Sequence, residues 1–369
     1  MITCKATGLV YRNPKPHLRA QHTWHPSIVR LDSGELVASF DIGQGVESLD
    51  YRTYLARSTD DGQTWSDPVR LLEETTSRPT THSIRISRTA DGTLLGFGGR
   101  YYRDDPEEGL VNRVNLGYVP MELIWLKSSD GGSIWQAPST IEPPLIGPSF
   151  EVCHRIVELP GGTWLAPTSS WRGWDGYCPE GMKAVVLASR DQGQTWPEAI
   201  TTFDGASQGL ICWEQSVTPL PDGRLLAVAW IFDEQAGKSL PNRYTIFSED
   251  GQVLAPPCEN GLLGQTAKLI TLRDGRILCL YRREDQPGLW AQLVRIRGDR
   301  WEPLAEAPIW RGVSAGMSGQ NTAGEELSGL KFGFPSMVQL SDGDVFAVFW
   351  CCEDCIHNVR WVRLHLDAA

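Results

Sequence analysis

Apolar and polar positions alternate along this chain in short runs, and the runs come in pairs around a turn. HPSIVRLDSGELVASF, SIRISRTADGTLLGFGG, CHRIVELPGGTWLAPTS, EQSVTPLPDGRLLAVAW, TAKLITLRDGRILCLYR and FPSMVQLSDGDVFAVFW share one form. Each predicts strand, tight turn, strand, since period-two alternation marks a half-buried strand and Asp-Gly supplies the positive φ of a hairpin. The turn glycines are Gly34, Gly92, Gly162, Gly223, Gly275 and Gly343, spaced 52 to 70 residues apart. Six residues before them stand Ile28, Ile86, Ile156, Val217, Leu269 and Met337, and two after them Leu36, Leu94, Trp164, Leu225, Ile277 and Val345. These are the predicted core positions of a repeated sheet.

A second repeat lies between the hairpins. STDDGQTW from 58, SSDGGSIW from 128 and SRDQGQTW from 189 share Ser-x-Asp-x-Gly-x-x-Trp, with weaker versions near 248 and 297. The Asp can accept backbone N–H groups, the Gly permits the turn and the Trp folds over the sheet, so the expected role is structural. Six small sheets repeated radially protect their own edges, which predicts an all-β, six-bladed β-propeller. The last repeat is one strand short, and the N-terminal KATGLVY is a strand without a blade. The expectation is one domain over 1–369, with a strand at about 5–13 completing blade six and closing the ring.

Composition adds limits. Fifteen tryptophans and 37 glycines suit many short strands and tight turns. A net charge of -11 argues against nucleic acid as a partner. No apolar run approaches the ~20 residues of a membrane span, and the N-terminus shows no secretory signal, so a cytoplasmic protein with no membrane partner is expected. Nine scattered cysteines fit reduced thiols better than a disulfide framework.

The Ser-x-Asp-x-Gly-x-x-Trp segments on six repeats resemble the sialidase superfamily, the BNR or Asp-box proteins, across essentially the whole chain. The resemblance implies a site at the pore mouth, reached 7 to 11 residues before each turn glycine and 7 to 10 after it. At the place of the family's first triad arginine stands WHPS, with Trp24 and His25; the place of the second holds Trp230, and Arg282 or Arg283 is a loose match for the third. Phe334 replaces the nucleophilic tyrosine, while the glutamate that would activate that tyrosine is kept as Glu214. In the acidic loop of the first repeat the candidates are Glu47 and Asp50. Without the phenol and the arginine triad, ordinary retaining sialidase chemistry is not expected.

The same counting brings His82, Arg85, Glu151, His154, Arg155 and Lys268 to the mouth. A carboxylate is costly to bury unless paired or used, which singles out Glu214 as an acid or base, with His25 and Asp50 as its partners and Glu47 or Glu151 as further carboxylates. Trp24, His82, Arg85, His154, Arg155, Lys268, Arg282 and Arg283 are the candidate substrate-binding residues, the cations forming a positive funnel for an anionic ligand. No cofactor is expected, although His25, His82 and His154 offer a metal set if they converge. The leading expectation is a sialidase-like exo-glycosidase taking a terminal acidic sugar of a glycan or oligosaccharide. The alternatives are a uronate-directed lyase using His and Arg, and a non-catalytic glycan-binding propeller. Oligomeric state is not legible.

Overall fold

The computed structural model describes residues 1–73, 77–311 and 331–367. Six antiparallel sheets follow one another along the chain, each running from an inner strand outward. Their inner strands are His22–Arg30, Thr80–Arg88, Ser149–Glu151 with Val157–Glu158, Leu210–Pro219, Gly264–Thr271 and Phe332–Gln339. The N-terminal strand Ile2–Tyr11 pairs antiparallel with Ile356–Leu366 and becomes the outer strand of blade six. The first and last repeats are thereby locked together, as the unpaired N-terminal strand predicted.

The hairpins form where the pattern placed them. All six turn glycines have φ between 83° and 95°, a region that a Cβ disfavours. Every predicted core position is buried, from Ile28 at 0% exposure to Leu269 at 5%. Alternate residues of a strand face opposite neighbours: Leu225 and Ala227 pack on blade three, Leu226 and Val228 on blade five. Six such apolar clusters fill the six joints between blades, including the joint of blade six with blade one, where Phe346 and Val348 meet Ile28 and Leu36. Each fully buried Leu, Ile or Phe contributes about 1.5–3 kcal/mol, so the ring is held by its joints as much as by its sheets.

The Ser-x-Asp-x-Gly-x-x-Trp turns act as fasteners. Asp60 accepts hydrogen bonds from Ser58 Oγ (2.8 Å) and the Thr64 backbone N–H (2.9 Å), and Trp65 Nε1 donates to the Gly62 carbonyl (3.1 Å). Asp130 and Asp191 repeat the pattern. Gly62, at φ 88°, lies where a Cβ would come within 2.5 Å of the Phe346 ring of blade six, so the turn doubles as a blade-to-blade contact. All nine cysteines are free. No helix among the described residues is long and apolar enough to cross a membrane.

Candidate active site at the pore mouth

Four inner strands carry the same irregularity. In blades one, four, five and six two residues oppose one on the neighbouring strand: His25-Pro26, Glu214-Gln215, Thr266-Ala267 and Phe334-Pro335. The first residue of each pair, nine before its turn glycine, is left-handed, with φ of 49°, 49°, 52° and 52°. A bulge re-aims its side chain, and a non-glycine residue held at positive φ stores about 1–3 kcal/mol of strain. Blade two has Ser83 at the equivalent place in regular pairing, and blade three has Cys153 where its inner strand is interrupted. Three of the four strained residues, His25, Glu214 and Phe334, are those that the repeat register had placed at the mouth; Thr266 is the fourth.

His25 belongs to a buried relay. Its Nδ1 lies 2.6 Å from the Tyr51 hydroxyl, and that hydroxyl donates to Asp41 Oδ2 at 2.9 Å. Asp41 also accepts from Thr53 Oγ1 (2.6 Å), Ser83 Oγ (2.5 Å) and Arg85 Nη1 (3.3 Å). Burial works against its charge, but Arg85, His25 and Ser83 outweigh burial and hold the carboxyl below its ordinary value. An ionised Asp41 accepts the hydrogen bond of the phenol O–H, so the phenol oxygen accepts in turn from His25 Nδ1–H. Nε2 therefore keeps the lone pair. Burial lowers the His25 pKa, Asp41 opposing and Arg85 assisting, which keeps the imidazole neutral.

Glu214 faces the same space from blade four. One carboxylate oxygen accepts the Thr266 backbone N–H at 2.8 Å, and its own backbone N–H donates to Glu151 Oε2 at 3.3 Å. Burial raises the Glu214 pKa, with Arg282 and Lys268 opposing. Behind it, Glu151 is only 7% exposed, and burial together with the charge of Glu214 lifts its pKa to about 7. Arg282 is 2% exposed and is anchored by Gln265 Oε1 and the Phe332 carbonyl, with no carboxylate within ion-pair distance among the described residues. Gly333 makes room for it: a Cβ there would lie 2.4 Å from Arg282 Nη1.

His25, Glu214, Thr266 and Arg282 line one cavity of about 420 Å³, together with the aromatic rings of Trp24, Phe334 and Trp350 and the rim residues Glu47 and Arg113. That volume is in the range of a small-molecule site. Glu47 Oε2 accepts the Leu110 and Val111 N–H groups (2.6 and 3.2 Å), tying the loop that brings Val111 and Arg113 to the rim.

Of the residues expected at the mouth, Glu214, His25, Trp24 and Arg282 converge there. Asp50 does not: it is exposed beside a separate hollow, fastening its own loop through Ser48 and the Gln44 N–H. Arg283 points away, paired with Asp285 and Glu306 over the Trp290 ring. Arg85, Arg155, Lys268 and His154 line a second, smaller chamber beneath Phe334, so they are not a clamp for a ligand in the mouth. His154 is fully committed: Nδ1 donates to the Arg155 carbonyl (2.8 Å), so Nε2 of the neutral ring accepts from Ser216 Oγ (3.0 Å). Burial, Lys268 and Arg155 lower its pKa to about 3. His82 is buried in blade two with neither ring nitrogen bonded. His25, His82 and His154 therefore do not converge, and no His, Cys, Asp or Glu grouping suited to a metal occurs among the described residues.

Trp171, Trp213 and Trp230 form a buried stack with centroids 5.1 and 4.1 Å apart. Their work is packing. Sequence reasoning missed Tyr51, Arg113, Trp350 and His357. Tyr51 and Arg113 sit in loops outside the repeat register. The strand-borne Trp350, seven residues after Gly343, could have been found by the same count.

No protein-family model and no curated protein sequence matches the chain. Solved structures do match in fold. A Dyadobacter fermentans protein of unknown function superposes with a TM-score of 0.75 at 18% identity, over 99% of both chains. The Hadza microbial sialidase Hz136 gives 0.69 at 15% identity over 97% of this chain and 68% of its own. A Penicillium chrysogenum alpha-L-arabinanase, solved with arabinobiose, gives 0.66 at 16% over 98% of both. The chain thus has the six-bladed propeller fold of sialidases and of an arabinanase.

Proposed function

We propose that this protein is a glycoside hydrolase acting at the end of a glycan or oligosaccharide, with Glu214 as general acid and His25 as general base. The carrying observation is that one cavity holds a carboxyl whose pKa is raised and an imidazole whose pKa is lowered. These opposite shifts bring the carboxyl and imidazole pKa values toward each other, so that a fraction of the protein holds a protonated Glu214 together with a neutral His25 at one pH. In the proposed step Glu214 gives its proton to the glycosidic oxygen as the C–O bond breaks. His25 Nε2 takes a proton from the attacking water, and Tyr51 and Asp41 stabilise the resulting imidazolium. The proton then returns from His25 to Glu214 through solvent. Trp24 and Trp350, both nearly buried, give the cavity an apolar wall against which a sugar can rest. Arg282, buried and with no carboxylate within ion-pair distance among the described residues, and Arg113 at the rim support an acidic sugar, since a guanidinium binds a carboxylate through charge-assisted bonds.

Resemblance in fold to sialidases and to an arabinanase agrees with a carbohydrate ligand, and the functional reading itself rests on the site. The test is turnover of a panel of acidic and neutral glycosides by the wild type and by Glu214→Gln. Loss of turnover with the fold retained is expected; undiminished turnover would reject the assignment. The lyase reading keeps one specific support, because His25 Nε2 and Arg282 share the cavity and could remove the proton alpha to a uronate carboxylate. Ultraviolet absorbance from an unsaturated product would favour it. Saturated products that have gained water favour hydrolysis.

A further inference from the structure

Beneath Phe334 lies the second, smaller chamber. It offers about 30 Å³ to the centre of a water-sized sphere and is lined by Arg85, Arg155, Lys268, His154, Cys153 and Ser336 among others, with no carboxylate in its wall. Room for one water or one small ion needs roughly 10–15 Å³ on this measure, so the space takes a single small species and not a sugar.

The charged side chains around the chamber are all cations. Lys268 is 6% exposed and its Nζ has no hydrogen-bond partner; Arg85 is 4% exposed and its Nε has none. Ser336 Oγ accepts the Ile28 N–H at 3.2 Å, which leaves its hydroxyl proton to be donated. His154 cannot serve as acceptor, because Ser216 already occupies its lone-pair nitrogen. Asp41 pairs with Arg85 from outside the chamber, and neither Lys268 nor Arg155 has a carboxylate within ion-pair distance among the described residues. The Phe334 ring lies 4.6 Å from Arg85 Cζ and 4.8 Å from Lys268 Nζ. Arg85 spends Nη1 on Asp41 and Nη2 on Ser83 (2.9 Å), so the donors left without an acceptor are Arg85 Nε and Lys268 Nζ. Buried polar donors without acceptors are costly, and buried charge more so.

We propose that this chamber is a binding site for one small inorganic anion of the halide class, held by Lys268 Nζ, Arg85 Nε and the Ser336 hydroxyl. A single water would supply acceptor lone pairs but no charge, whereas Arg85, Arg155 and Lys268 are met within ion-pair distance, among the described residues, by the Asp41 carboxylate alone. The anion supplies both. Phe334 separates it from the mouth cavity, so it acts as a structural counter-ion that ties blades two, five and six together at the axis and not as part of the reacting centre.

The test uses the full chain with bromide as probe. In crystals soaked in sodium bromide, an anomalous peak beside Lys268 Nζ is expected beneath Phe334. No peak there, with only water density, would overturn the proposal. In solution, replacing gluconate by chloride at constant ionic strength should raise the Tm of the wild type. That rise should vanish in Lys268→Met. An equal rise in both proteins would show that chloride acts elsewhere. Because Lys268→Met could fail to fold, the bromide measurement on the wild type stands as an independent criterion.

Discussion

Glu151→Gln offers a test that needs no substrate. The Glu151 carboxyl is buried beside Glu214, and its pKa is lifted from the ordinary 4.5 to about 7 by burial and by the Glu214 charge. In the unfolded chain it ionises near the ordinary value. Between these two values the unfolded state binds fewer protons than the folded one, so stability falls as pH rises. The contribution is complete below about pH 4.5 and is lost as pH passes 7. At about 1.4 kcal/mol per pKa unit the loss amounts to about 3 kcal/mol. Gln cannot ionise, yet its amide oxygen can still accept the Glu214 backbone N–H. The variant should therefore gain up to about 3 kcal/mol over the wild type at pH 8 and nearly nothing at pH 4.5. Urea denaturation at both pH values reads the difference. Parallel stability curves for the two proteins would refute the placement of a protonated carboxyl behind Glu214.

Other predictions follow from the same contacts. Tyr51→Phe removes the hydroxyl between His25 and Asp41, so kcat/KM should fall about 10- to 100-fold, the range set by losing about 1.4–2.7 kcal/mol of positioning. With His25 Nδ1 then facing Asp41 directly, from 3.6 Å away, the acid limb of the pH profile should move to higher pH; an unmoved limb would contradict the relay. Gly333→Ala places a Cβ against Arg282 at φ 149°. It should cost about 1–3 kcal/mol in stability and raise KM for an acidic substrate more than for a neutral one, as steady-state kinetics would show.

The ring was legible because its signals are periodic. Turn glycines, alternating core residues and Ser-x-Asp-x-Gly-x-x-Trp turns recur in phase, and each has a local physical cause. Counting from the glycines also found the depth of the site, since His25, Glu214 and Phe334 share one offset. It could not find direction. Lys268 and Thr266 lie two residues apart on one inner strand, yet the bulge sends Thr266 to the mouth and Lys268 to the chamber below. Arg282 and Arg283 are neighbours on one strand and face opposite sides of it, which sequence spacing alone left open. Asp50 is acidic and close in sequence to the mouth, but its carboxylate is spent on its own loop. Tyr51, the next residue, reaches His25 from outside the repeat.

The proposed proton transfer from Glu214 to the leaving oxygen is tested directly by the dependence of rate on leaving group. An acid is needed where the leaving group is a sugar alkoxide, and hardly at all where it is an activated phenol. Measured as kcat/KM on a dinitrophenyl glycoside and on the matching disaccharide, Glu214→Gln should retain most of its rate on the first and lose it on the second. Equal losses on both would contradict the assignment of Glu214 as the acid.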